Sequence, residues 1–128
     1  MVRPRPQTTS TAVAERLALT KATVRAAGKL ALNNRALASI IGVSEPSISR
    51  MKKGEFQLER GQKPFELGVL FVRLYRSLDA IVGGDEQVAQ AWLRNQNTAL
   101  GGVPLTLIQS VAGLVNVIQY LDSRRAVV

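Results

Sequence analysis

Arg50 stands in the stretch NNRALASIIGVSEPSISRMKKG, residues 33–54, with Ser47 and Ser49 before it and Lys52 and Lys53 after it. These are side chains for reading and holding nucleic acid. A guanidinium bonds both acceptors on a guanine edge, hydroxyls reach bases or phosphates, and ammonium groups neutralise phosphate. Glu45 adds an acceptor for a cytosine amine, or alternatively a partner for the positive end of a helix dipole. Asn34 and Arg35, with Lys52 and Lys53, fall where helix ends are expected, and there they would touch phosphate. The candidate DNA-binding set is therefore Asn34, Arg35, Glu45, Ser47, Ser49, Arg50, Lys52 and Lys53. Phosphate contacts position a protein and base contacts specify; Glu45, Ser47, Ser49 and Arg50 are expected on the outward, base-reading face.

Two short helices and a tight turn would hold these groups in place. Asn33 is a good N-cap, and Leu37, Ile40 and Ile41 recur at helical spacing. Gly42 ends that helix by tolerating positive φ. Ser44 caps the next helix, Glu45 and Pro46 suit its first turn, Ile48 and Met51 face inward, and Gly54 stops it. Ala38 is small where the helices must cross. A small residue, a turn glycine and a branched apolar residue in this register make a helix-turn-helix pattern. One such unit touches few bases, so a dimer on an inverted repeat is expected.

The charge agrees. Of 128 residues, 46% are hydrophobic, and the net charge is +8. Residues 1–63 hold twelve Lys/Arg against four Asp/Glu, whereas residues 64–128 hold five of each. The excess positive charge thus lies in one half, as a polyanion-binding surface requires. Cysteine and histidine are absent. That removes disulfides, thiolate metal sites, thiol nucleophiles and the usual neutral-pH base. No catalytic constellation, metal site or cofactor motif appears, and an enzyme is not expected. The opening MVRPRPQTTS has no apolar segment, so no signal peptide is expected, and LGVLFV is far too short to span a bilayer. A cytoplasmic protein fits.

Along the rest of the chain, residues 1–10 read as a flexible arm. Residues 11–18 and 21–31 read as two helices, with Thr20 a possible N-cap of the second. Residues 55–64, EFQLERGQKP, read as the connection between a DNA-binding domain (11–63) and a second helical domain (64–128). Leu67, Leu70, Phe71, Leu74, Leu78, Ile81 and Val82 form a stripe on a helix that Gly83 and Gly84 end. Asp85 caps a helix in which Val88 and Trp92 lie one turn apart. Pro104 opens a short helix, and Ser110 caps a last one. Val111, Leu114, Val115, Ile118 and Leu121, widened by Val117 and Tyr120, make that last helix apolar over more than half its girth. Such a helix is central or pressed against another chain.

The stretches LASIIGVSEPSISRMKKG, LYRSLDAIVGGD, AWL, NTALGGVPL and SVAGL stand in an order that resembles the Xre/MbcA/ParS-type antitoxins. The resemblance covers nearly the whole chain beyond the first ten residues, and its second half is the more specific part. It departs at Gln96-Asn97, where the family often has Pro-Asn, a change that could loosen the turn without undoing the resemblance. It implies an all-α fold, a Cro/Xre-like helix-turn-helix domain followed by a small helical toxin-binding domain. It also implies a RES-domain toxin as partner, an NAD-consuming enzyme related to ADP-ribosyltransferases, and repression of the chain's own promoter. Transferred to this chain, the toxin-binding residues would be Asn97, Leu100, Gly101, Gly102, Tyr120, Arg124 and Arg125. The two arginines would enter a cleft that receives a phosphate-rich cofactor, or else serve as ordinary dipole partners at a helix C-terminus. The other reading is a stand-alone dimeric transcriptional regulator whose C-terminal half only dimerises.

Overall fold

A computed structural model describes residues 6–126, with side chains described over residues 10–125. Among these, seven helices follow one another: α1 (Pro6–Lys29), α2 (Asn34–Ile41), α3 (Glu45–Lys52), α4 (Lys63–Ile81), α5 (Glu86–Arg94), α6 (Pro104–Leu107) and α7 (Val111–Ala126). No strand forms among the described residues; one isolated bridge joins Asn97 and Gly102. The expected all-α class holds. No helix among the described residues is long and apolar enough to cross a membrane.

α1 corrects two expectations. Residues 6–10 belong to the helix rather than to an arm, while residues 1–5 lie outside the described part of the chain. The expected break at residues 19–20 is also absent. Thr20 is not an N-cap. Its hydroxyl donates to the Arg16 carbonyl at 2.7 Å and accepts from the Leu58 N–H at 3.0 Å. A threonine inside a helix satisfies its hydroxyl on the preceding turn, and here the same oxygen also fixes the chain that leads into α4. Two exposed ion pairs, Arg16 to Glu59 and Arg60 to Glu15, lie beside it. α1 stops where Ala31 takes φ 56°, and the Leu32 N–H reaches back to the Ala27 carbonyl at 2.9 Å.

α5 completes that helix end. Arg94 donates to the carbonyls of Leu30 (3.1 Å) and Ala31 (2.8 Å), and the Gln90 amide donates to Lys29 O at 2.9 Å. The last carbonyls of a helix lack internal partners, and two side chains from the second half supply them here. Lys29 also pairs with Glu86 at 3.1 Å. That hydrogen bond and charge hold the ammonium above its ordinary pKa.

α4 is the hub: α1, α2, α5 and α7 all pack on it. It buries Leu67, Phe71, Leu74 and Leu78 as expected, and also Val72 and Ser77, which the single stripe omitted. With neighbours on several sides, one stripe could not describe it. Gly68 permits the close approach, since a Cβ there would lie 3.0 Å from Leu58 Cδ1 and 3.3 Å from Thr23 Oγ1. Ile81, expected inside, is 43% exposed, because the last turn of α4 lines a hollow beside Arg124 and Arg125.

The remaining helices show smaller departures. α5 buries Ala89 and Leu93, whereas Val88 is 49% exposed and Trp92 half-buried. α7 lays Leu114, Val117, Ile118 and Leu121 into the core against α4, its largest partner, while Val111 is 55% exposed in the first turn. The wide apolar girth of α7 is therefore used mostly inside the chain.

Candidate nucleic-acid and protein interfaces

The helix-turn-helix forms from the residues that its pattern singles out. Asn33 Oδ1 accepts from the Ala36 N–H at 2.8 Å and caps α2. Gly42 adopts φ 76°, and both its N–H and that of Val43 return to the Ala38 carbonyl. Ser44 Oγ accepts from the Ser47 N–H at 3.2 Å and caps α3, with Pro46 in the first turn. Leu37, Ile41 and Ile48 are fully buried, and Ala38 and Met51 nearly so. Each cap satisfies a backbone donor that the helix start leaves open, so α3 is fixed in direction by short-range bonds as well as by its core residues.

Of the eight DNA-binding candidates, Arg35, Glu45, Arg50, Lys52 and Lys53 are exposed, and Asn34 and Ser49 are partly so. Ser47 is not outward-facing as expected; it is 8% exposed. Its hydroxyl lies 2.9 Å from Ser44 Oγ and accepts from Arg50 Nη2 at 3.2 Å. Ser47 therefore belongs to the capping network and steadies Arg50. The Arg50 guanidinium also lies over the Phe56 ring, 5.8 Å from its centroid, a cation–π contact. Phe56, in the stretch taken as plain linker, was missed; an aromatic residue just past a basic helix end was the available signal. Lys52 donates to Asn34 Oδ1, tying the end of α3 to the start of α2. Two phosphate-contact candidates thus sit side by side.

The toxin-binding candidates fall into two groups. Asn97 N–H donates to Gly102 O at 2.9 Å, Gly102 and Gly101 N–H return to Asn97 O, and Asn97 Oδ1 accepts from Leu100 N–H at 3.1 Å. Gly101 takes φ 77°. Asn97 therefore closes the turn itself, through its backbone and its side chain. Gly102 lies against Leu107 of α6, which abuts the first turn of α7: a Cβ on Gly113 would fall 1.8 Å from the Leu107 carbonyl oxygen.

The second group is near the other end of α7. Tyr120 stacks on Trp92 (centroids 6.4 Å apart, planes at 19°), and Arg124 lies over Tyr120 at 5.5 Å. Arg125 donates to Ser77 Oγ at 3.2 Å. The sequence brought Tyr120 forward without its partner Trp92. From Val111 to Arg125 the rise is roughly 21 Å, so the turn's anchor and the two arginines lie toward opposite ends of α7.

Asp122 lies between them and α4. It accepts from Ser77 Oγ at 2.9 Å and from Arg73. Burial alone would raise its pKa, but the hydrogen bonds from Ser77 and Arg73 and the nearby guanidinium charges outweigh it and hold the carboxyl below its ordinary range. Ser77 and Asp122 went unread because neither lies on an apolar stripe.

A capped helix-turn-helix joined through one shared helix to a second helical module defines a two-part DNA-binding protein. Residues 9–73 match the antitoxin Xre-like helix-turn-helix domain, and residues 77–126 match the antitoxin Xre/MbcA/ParS C-terminal toxin-binding domain. The chain belongs to the Xre-type antitoxins. Neither matched domain is a catalytic family. The two matches meet inside α4, the helix that both parts use. No curated protein is significantly similar to the chain.

Proposed function

We propose that this antitoxin neutralises a RES-domain toxin by covering its active-site cleft, and that it represses its own operon by binding an inverted repeat as a homodimer. It would act in the bacterial cytoplasm and associate with the nucleoid when on its operator. The match of residues 77–126 to a toxin-binding domain carries this reading. Arg124 and Arg125 support the choice of toxin: both are exposed in the last turn of α7 and suit a cleft built for a phosphate-rich cofactor such as NAD. Steric occlusion needs no chemistry from the antitoxin. The remaining toxin contacts would come from Asn97, Leu100, Gly101, Gly102 and Tyr120, with Trp92 holding Tyr120 in place. For DNA, Arg50 would read a base while Arg35, Lys52 and Lys53 hold phosphates.

The test uses the full chain, because α5 completes α1 and the halves share α4. The chain is mixed with a RES-domain toxin encoded beside it, and NAD consumption is followed. A stable complex with loss of NAD consumption, restored at least in part by the Arg124→Ala, Arg125→Ala double variant, is the expected outcome. A stable complex that leaves NAD consumption intact would overturn occlusion of the cleft. Self-association with no second protein retained would favour the dimeric regulator.

A further inference from the structure

Three neighbouring hollows, which share lining residues, lie along α4, where it meets α1 and the end of α7. The largest, about 570 Å³, has a floor that includes Ala22, Val69 and Val72 and a rim that carries Arg73, Arg76 and Arg125. Val72 and Arg76 also line a second hollow of about 210 Å³, together with Arg25. Arg125 leads into a third of about 300 Å³, beside Arg124. Asp122 is the one carboxylate among the lining residues, and it is already bonded to Arg73 and Ser77. The ion pairs among the described residues include neither Arg25 nor Arg76. Val69 is 45% exposed on the floor.

We propose that this cleft binds a small amphipathic anion, an organic molecule with an apolar body and a phosphate or carboxylate head. The body would lie on Ala22, Val69 and Val72, and Arg76, with Arg25 or Arg125 beside it, would take the head. The volume lies within the roughly 300–1,000 Å³ of small-molecule sites. A bare anion would leave the apolar floor wet, and a neutral apolar molecule would strip water from guanidiniums without replacing it. A second copy meeting this face about a two-fold axis would set arginine against arginine. The walls come from both matched domains, so an occupant touches each of them.

Calorimetric titration of the full chain with n-octyl phosphate, kept monomeric, tests this. Inorganic phosphate and octan-1-ol serve as the two half-probes. Saturable one-to-one binding of octyl phosphate, at least tenfold tighter than either half-probe, is expected. Arg76→Ala should weaken it about tenfold, as loss of a charge-assisted hydrogen bond does. Lys53→Ala, which removes the same charge just past the end of α3, should leave it unchanged. Arg76 is exposed, and circular dichroism checks that its variant is folded. Equal loss in both variants, equal affinity for octan-1-ol, or no saturation would overturn the proposal. So would retention on phosphatidylglycerol vesicles without binding of the monomer, or an acidic amphipathic peptide binding more tightly than octyl phosphate; the face would then serve a membrane or a protein instead.

Discussion

The two halves of the chain hold their arginines in different ways. In the basic half the charge excess is global: twelve cations face four carboxylates over residues 1–63. Arg50 is steadied by a serine and a phenylalanine and keeps its hydrogen-bonding capacity largely uncommitted. In the second half the charges sum to zero, yet they do not mix. Glu66, Asp85 and Glu86 sit at helix starts, where they complement dipoles. Arg73, Arg76, Arg124 and Arg125 gather along α4 and the end of α7, and Asp122 is the one carboxylate lining the hollows they border, with Asp79 further along α4. Neutrality over a stretch of sequence is thus compatible with a strongly basic face. The contrast drawn from sequence, excess charge in one half and balance in the other, holds as a sum and fails locally.

The severest way to break the comparison is to damage only the second half. Gly113→Ala would place a Cβ on the Leu107 backbone carbonyl, which has no side chain to swing aside. The α6–α7 junction must then shift, at a cost of about 3 kcal/mol or more, and the melting temperature should fall by roughly 10 °C. Toxin binding should suffer more than DNA binding, because the caps at Asn33 and Ser44 are untouched. Equal loss of both would mean that the shared helix α4 transmits the damage throughout.

Next in size is Arg50→Ala, which separates the halves cleanly. Operator affinity should drop about ten- to a hundredfold in a gel-shift or fluorescence titration, while affinity for random DNA changes little and toxin binding stays intact. An equal loss on operator and random DNA would reduce Arg50 to a phosphate contact.

The helix-turn-helix was legible because local chemistry decides it. Asn33, Gly42 and Ser44 each act within four residues of themselves, and the structure places all three as caps. Long-range demands were not legible. Thr20 looks like a helix start in isolation but serves Leu58, thirty-eight residues away. Ser47 reads as a surface serine but closes a cap. Gln90 and Arg94 look like solvent-facing residues and instead complete the end of α1. Ser77 is fully buried because Asp122 and Arg125, more than forty residues on, surround its hydroxyl. For the candidate sites the same division holds. Arg50 could be picked by its place on a short helix, whereas the arginine-lined cleft exists only once α1, α4 and α7 are brought together.

Asp122→Asn probes that cleft through stability. Removing the charge should cost about 1 kcal/mol at neutral pH, the scale of a partly exposed ion pair with one added hydrogen bond. Because the folded-state pKa lies below the unfolded one, this contribution is present above the ordinary aspartate pKa near 3.9 and is lost as pH falls through the lower folded value. The parent and Asp122→Asn unfolding free energies should therefore differ at pH 7 and converge below about pH 4. A constant gap across that range would show that the asparagine disturbs packing rather than charge.

The smallest effect falls on Lys53, exposed just past the last turn of α3. If it only neutralises a phosphate, Lys53→Ala should weaken operator and random DNA alike, and should lower the slope of log affinity against log salt by about one. The same substitution should leave toxin binding and the α1–α4 cleft unaffected, since Lys53 is neither among the proposed toxin contacts nor among the residues lining the cleft. A salt slope that stays constant while operator affinity alone falls would move Lys53 from holding DNA to reading it. The basic half would then read sequence with more than Arg50, and its charge excess could no longer be taken as chiefly a phosphate clamp.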